Sequence, residues 1–184
     1  MYLPVHTPSS RFPKTVISVA LLVGLPTAPL PAQQAGSACG LLQVAELEAA
    51  IGGKASAKPS GAKQAVPGMT LDECSVVLSG SGVTHPVSVR IVTNLGMDGA
   101  QAIATMNMGT AREQQWKTPG ARLEQTTVGK ATCILTGRPS VASNAICRIP
   151  RGEGYVEVDV IGPVNQLPTL ATVGALVQKA HSRL

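Results

Sequence analysis

Glu157 and Asp159 stand two residues apart in the run Tyr155-Val156-Glu157-Val158-Asp159-Val160-Ile161. An extended chain puts both carboxylates on one face and the three valines on the other. Paired carboxylates do acid–base work in hydrolases, but there they come from separate elements and straddle the substrate. Two on one strand read instead as its solvated side. His85, beside Pro86, and His181, near the end of the chain, share no motif. A serine nucleophile wants a GxSxG turn and a base, a zinc hydrolase wants HExxH, and nucleotide binding wants a glycine fingerprint; the sequence contains none of them. No catalytic residue is therefore expected. An enzyme would need His85, Arg148, Glu157 or Asp159 to converge from distant segments. The basic side chains offer a binding alternative. Arg148 and Arg151 flank Ile149-Pro150, and Arg138 lies on the preceding loop, so a bridge between Cys133 and Cys147 would gather the three arginines into a corner suited to a carboxylate or phosphate.

The four cysteines, Cys39, Cys74, Cys133 and Cys147, include no CxxC and have no histidine nearby, so neither a metal site nor a cofactor is expected. Four cysteines allow three pairings. Cys39–Cys74 with Cys133–Cys147 is preferred on local grounds. Cys133 and Cys147 fall in two strand-like runs joined by a Gly/Pro/Ser loop, while Cys39 precedes a helix able to cover the strand that begins at Cys74. Each bridge is worth about 2–4 kcal/mol through restriction of the unfolded chain.

These residues must be positioned by an alternation of helices and strands. Val44, Leu47 and Ile51 recur at helical spacing within Gln43–Ile51, and Gly52-Gly53 ends that helix. Lys54–Met69, poor in large apolar residues, reads as a flexible surface loop. Glu73–Leu78 and Val87–Thr93 flank Ser79-Gly80-Ser81-Gly82, predicting a hairpin. Asp98 can cap a helix reaching about Trp116; Met97, Met106 and Met108 around it are expected to fill the core. After Pro119-Gly120 come four strand-like runs, Arg122–Val128, Ala131–Leu135, Asn144–Ile149 and Tyr155–Ile161. Leu170, Val173, Val177, Ala180 and Leu184 then share one side of a closing helix. Strands that follow one another without intervening helices make this an α+β chain. The expected fold is an antiparallel sheet of about five to six strands with three helices, stapled by disulfides.

The run Thr15–Leu25 follows Arg11 and Lys14 and leads into the Pro/Ala/Gln segment 26–34. A charged start, about ten apolar residues and a small-residue exit predict a signal peptide over 1–32, cut after Ala32. The segment is too short to span a bilayer, which takes about 20 apolar residues. The remainder, 33–184, has the size of one domain. It keeps 13 of the 15 Lys and Arg against 10 Asp and Glu. That mild, dispersed excess gives no nucleic-acid footprint. With Tyr2 and Phe12 gone, only Trp116 and Tyr155 remain as aromatic residues, so stacking platforms for sugars or single strands are missing.

Cys39-Gly40-Leu41-Leu42, Glu46, Ala49-Ala50-Ile51-Gly52-Gly53, the cysteine strand about 35 residues on and the step Val128-Gly129-Lys130-Ala131 resemble small exported bacterial domains with a C-x-L-L-x-x-x-E start, the DUF3558-like lipoprotein group. The resemblance implies an envelope-associated, non-enzymatic α+β domain with disulfides. This chain differs in that Gly36-Ser37-Ala38, ahead of Cys39, lack the large apolar residue of a lipidation box. The expected role is that of a periplasmic or secreted domain binding an envelope protein or a small ligand, without nucleic acid or a stable membrane span. An inhibitor or immunity-type protein that plugs its partner with Lys54–Met69 is the third reading.

Overall fold

The computed structural model describes residues 36–117, 121–137 and 141–184. The expected signal peptide, its cleavage point, Pro119-Gly120 and Arg138 lie outside the described residues. The elements run α1 (Ala38–Leu41), α2 (Val44–Ile51), β1 (Lys54–Ala55), β2 (Ser60–Val66), β3 (Met69–Gly80), β4 (Val83–Thr93), α3 (Gly99–Lys117), β5 (Arg122–Val128), β6 (Ala131–Gly137), β7 (Ser143–Pro150), β8 (Tyr155–Gly162) and α4 (Leu170–His181). The class is α+β. One antiparallel sheet runs in the order β1-β3-β4-β8-β7-β6-β5, with β2 also pairing to β3.

Valine at alternate positions builds the centre of that sheet. Val87, Val89 and Ile91 of β4 lie opposite Val160, Val158 and Val156 of β8, so all six face one way and are buried. Leu170, Val173, Leu176, Val177 and Ala180 recur at helical spacing and press α4 onto this surface. Thr169 caps α4 by accepting from the Thr172 amide at 3.2 Å. Leu41 of α1 and Leu47 of α2 complete the dry layer.

Both disulfides belong to this layer, with the preferred pairing. Cys39–Cys74 ties α1 to β3. Cys133 and Cys147 are direct partners across β6 and β7 and are bridged. The Cys39 sulfur is thereby committed to Cys74. A second clasp closes the ends: Arg183 donates to both Glu46 carboxylate oxygens and to the Leu41 carbonyl, each at 2.7 Å, and Lys179 stands 2.7 Å from Glu46. Arg183, then Lys179 and the Gln43 amide, hold the Glu46 carboxyl down at about 2, against the opposing pull of burial.

Among the described residues, eight strands and four helices replace the expected five to six and three. The additions are α1, β1 and β2, and the last two fall inside the segment expected as a loop. β3 is twelve residues long and presents a row of main-chain groups on its outer edge. Those groups need partners whatever the side chains of the neighbouring segment are. Ser60–Val66 supplies them in continuous register, from Ser60 opposite Ser75 to Val66 opposite Met69. Its side chains are exposed along the whole strand, and for that reason their composition looked like loop.

α3 lies on the other face of the sheet. Asp98 Oδ1 caps it through the amides of Ala100 at 2.8 Å and Gln101 at 3.3 Å. Its first residue, Gly99, donates to the Gly152 carbonyl at 2.9 Å. It sits so close to Gly154 that a Cβ on Gly99 would collide with that backbone. The start of α3 is therefore pinned to the β7–β8 turn. Ala102, Ile103 and Asn107 are its buried residues among the described side chains. Met97 and Met108, expected in the core, are exposed instead.

Candidate functional site beneath the third helix

Reversing the parity on the valine strands gives the chemistry of the second face. Ser88 and Arg90 of β4 lie opposite Asp159 and Glu157 of β8, and Arg148 of β7 lies opposite Glu157. Glu73 of β3 is the partner of Arg90. The result is a chain of ion pairs across four strands. Arg90 Nε donates to Glu73 at 3.1 Å, and its Nη1 donates to Glu157 at 2.6 Å. Arg148 Nε donates to the other Glu157 oxygen at 2.6 Å, and its Nη1 donates to Asn107 Oδ1 of α3 at 3.0 Å. Ser75 and Ser88 hydroxyls each donate to Glu73 at 3.0 Å. Asn144 donates to both Asp159 oxygens at 3.1 and 3.3 Å, and Arg90 Nη1 lies 3.6 Å from Asp159.

Glu157 and Asp159 are only 3% and 5% exposed. The solvated strand face expected from sequence is therefore covered. Two guanidiniums and the amides of Asn107 and Asn144 lie against it, taking the place of water. Burial, then the neighbouring Glu157, pushes the Asp159 carboxyl up despite Asn144, Arg90 and Arg148. Burial pushes Glu73 up too, but there Arg90 and the two serine hydroxyls outweigh it and hold the carboxyl low. Tyr155 completes the face: its ring lies 5.9 Å from the Arg148 guanidinium, and burial raises its phenol.

Of the three arginines expected to form a corner, the described residues include Arg148 and Arg151. Arg148 is taken by Glu157 and Asn107. Arg151 is exposed in the β7–β8 turn, where its amide donates to the Gly154 carbonyl at 2.9 Å. Arg138 lies outside the described residues. Its neighbour Gly137 ends β6, whereas Arg148 pairs with Thr132 near the start of that strand. His85 is equally separate: it shares its face with Val87 and Val89, opposite Leu78, and its Nδ1 lies 3.2 Å from the Ile161 carbonyl. It is thus on the reverse side of the sheet from Arg148, Glu157 and Asp159. His181 is on α4.

Next to the charged row, α3 and the β5–β6 hairpin enclose a groove of about 340 Å³. Ile103, Ala104, Met108 and Pro150 make its apolar wall, and Asn107, Gln125, Lys130 and Thr132 its polar side. Lys130 is held there by a two-residue turn. Val128 pairs with Ala131, and Gly129 takes φ +57°, where a Cβ would strike the Gln178 side chain. Among the described residues no group of three or more His, Cys, Asp and Glu could hold a metal ion, and no helix is long and apolar enough to cross a membrane. The chain matches no known protein family, and no curated protein matches its sequence.

Asn107, Lys130, Arg90 and Glu73 did not stand out in the sequence. The available signal was the alternation in Ser88-Val89-Arg90 set against Glu157-Val158-Asp159. Complementary charges at matching parity announce two strands that pair side by side.

Proposed function

We propose that this chain is a non-catalytic binding domain of the cell envelope that takes a small ligand, or a short segment of a protein, in the groove beneath α3. The observation that carries the reading is the groove itself: an apolar wall facing a few polar groups, next to a charged row whose guanidiniums are already engaged by carboxylates. Concave sites of this make-up are where ligands bind. Arg90 and Arg148, consumed by Glu73 and Glu157, serve to hold Asn107 and the strands in place. Two disulfides in so small a domain support work outside the reducing cytoplasm, in keeping with the apolar leader-like segment. The resemblance to exported envelope domains points the same way. A plugging role for residues 54–69 has less support, because pairing to β3 along its whole length holds β2 in the sheet.

Amide NMR spectra of the oxidised protein, recorded with and without envelope extract from its host, test the reading. Shifts confined to Ala100, Ile103, Asn107 and Thr132 are expected. Shifts clustered on α2 and α4, or turnover of an extract component, would overturn it.

A further inference from the structure

Asn107 fixes the kind of ligand the groove takes. The residue is 3% exposed and lines the groove. Arg148 possesses only donors, so the amide oxygen must be the atom facing Nη1, at 3.0 Å. That contact settles the orientation of the amide and turns its NH2 group away from the arginine. The nitrogen is buried and has no hydrogen-bond partner among the described residues. Such an orphan is rare in folded proteins and calls for a reason.

The same groove carries Lys130, whose ammonium also offers donors alone. Among the described residues no carboxylate lines it, and Gln125 and Thr132, which can donate or accept, are the other polar groups. Two donor-only groups beside an apolar wall define a complementary molecule with an acceptor head and an apolar body. We infer that the groove binds a small monocarboxylate with a short apolar chain, its head received by Lys130 and the Asn107 amide and its tail laid along Ile103, Ala104 and Met108. This rests on the binding reading given above and names the ligand class for the same site.

A single ammonium matches a single negative charge, whereas a phosphate dianion is usually met by several cations or an arginine fork. Arg90 and Arg148 are occupied by Glu73 and Glu157. The volume of about 340 Å³ is at the small end of ligand sites, which limits the body to a chain of several carbons. The Asn107 nitrogen is buried, so the carboxylate reaches it where the side chains over it give way. Occupation then gives the orphan donor an acceptor, and an uncharged or cationic head gains nothing comparable.

The test is titration of the full, oxidised chain with hexanoate, hexanol and hexylammonium, followed by NMR of the backbone amides and of the Asn107 side-chain NH2. Hexanoate is expected to shift the groove resonances, with the Asn107 NH2 protons moving downfield as they acquire an acceptor. Hexanol and hexylammonium should bind at least tenfold more weakly. Lys130→Gln, in an exposed turn, should weaken hexanoate several-fold with the thermal midpoint unchanged. Asn107→Asp keeps the oxygen for Arg148 but presents an acceptor in place of the donor, and should weaken it at least tenfold. Equal binding of hexanol and hexanoate, shifts outside the groove, or an unaffected Lys130→Gln protein would each overturn the inference. If envelope extract moves the groove resonances and hexanoate does not, the carboxylate assignment falls while the binding reading stands; if neither moves them, both fall.

Discussion

The two faces of the sheet are built from the same strands by opposite rules. On one, Val87, Val89, Val156, Val158 and Val160 meet α4, and both disulfides close the layer. On the other, Glu73, Arg90, Glu157, Arg148 and Asn107 join β3, β4, β8, β7 and α3 through directional bonds. The apolar face gains from burial alone and tolerates exchange of one aliphatic residue for another of similar volume. The charged face must recover the hydration it gives up, and does so only when every partner is in register. The first face supplies stability. The second fixes which strands pair and presents the groove, so it is where the proposed ligand contact and structural cost coincide.

The sharpest break of the first face is reduction. Removing both bridges by Cys39→Ala, Cys74→Ala, Cys133→Ala and Cys147→Ala should cost about 4–8 kcal/mol, a large share of a typical ~5–15 kcal/mol, and urea titration should show a chain unfolded or nearly so. Opened one at a time, Cys39–Cys74, which spans 35 residues, should matter more than Cys133–Cys147, which spans 14. The chain-entropy difference is about 0.8 kcal/mol.

On the second face, Glu157→Ala leaves the buried Arg148 without a carboxylate and Arg90 with Glu73 and the more distant Asp159 alone, and should cost about 3–5 kcal/mol by the same titration. Replacing Glu157, Arg90 and Arg148 together by apolar residues of similar volume should cost less than the single change. A result in the reverse order would mean that the ion pairs stabilise outright. Val158→Ala, on the dry face, should cost about 2 kcal/mol, from lost burial and the cavity left behind. It should leave hexanoate affinity alone, whereas the changes at Arg148 should not.

The smallest effects are in pH. Glu46 is held at about 2 in the fold against 4.5 when free. Its contribution is complete above about pH 4.5 and is lost as pH falls toward 2. Solvent screening at this partly exposed pair limits it to about 1 kcal/mol, and Glu46→Gln should flatten the acid limb of a stability-against-pH curve. Asp159 has the opposite sign. Its raised value means the folded state holds the proton more tightly, so stability falls as pH climbs above 3.8 through its titration. Asp159→Asn should remove that slope.

The sequence was most legible where side chains decide structure. Period-2 valines located β4 and β8, helical spacing located α2 and α4, and Asp98 located the start of α3. β2 was illegible because its pairing is a main-chain demand of β3 that Gly, Ala, Lys and Gln meet as well as valine. The site was harder. Arg148 was visible as a candidate, but its partner Glu157 was read as solvated, since a polar residue on an alternating strand looks the same under water as under a helix. Asn107 had no signal, because its importance comes from one bond to Arg148 and one bond not made.

The division of labour between the two faces is tested most directly by photo-crosslinking in the native envelope, with a photoreactive residue placed at Ala104 in the groove or at Ala175 on the exposed side of α4. The account predicts adducts from position 104, competed away by hexanoate, and none from position 175. Adducts at position 175 with none at position 104 would contradict it.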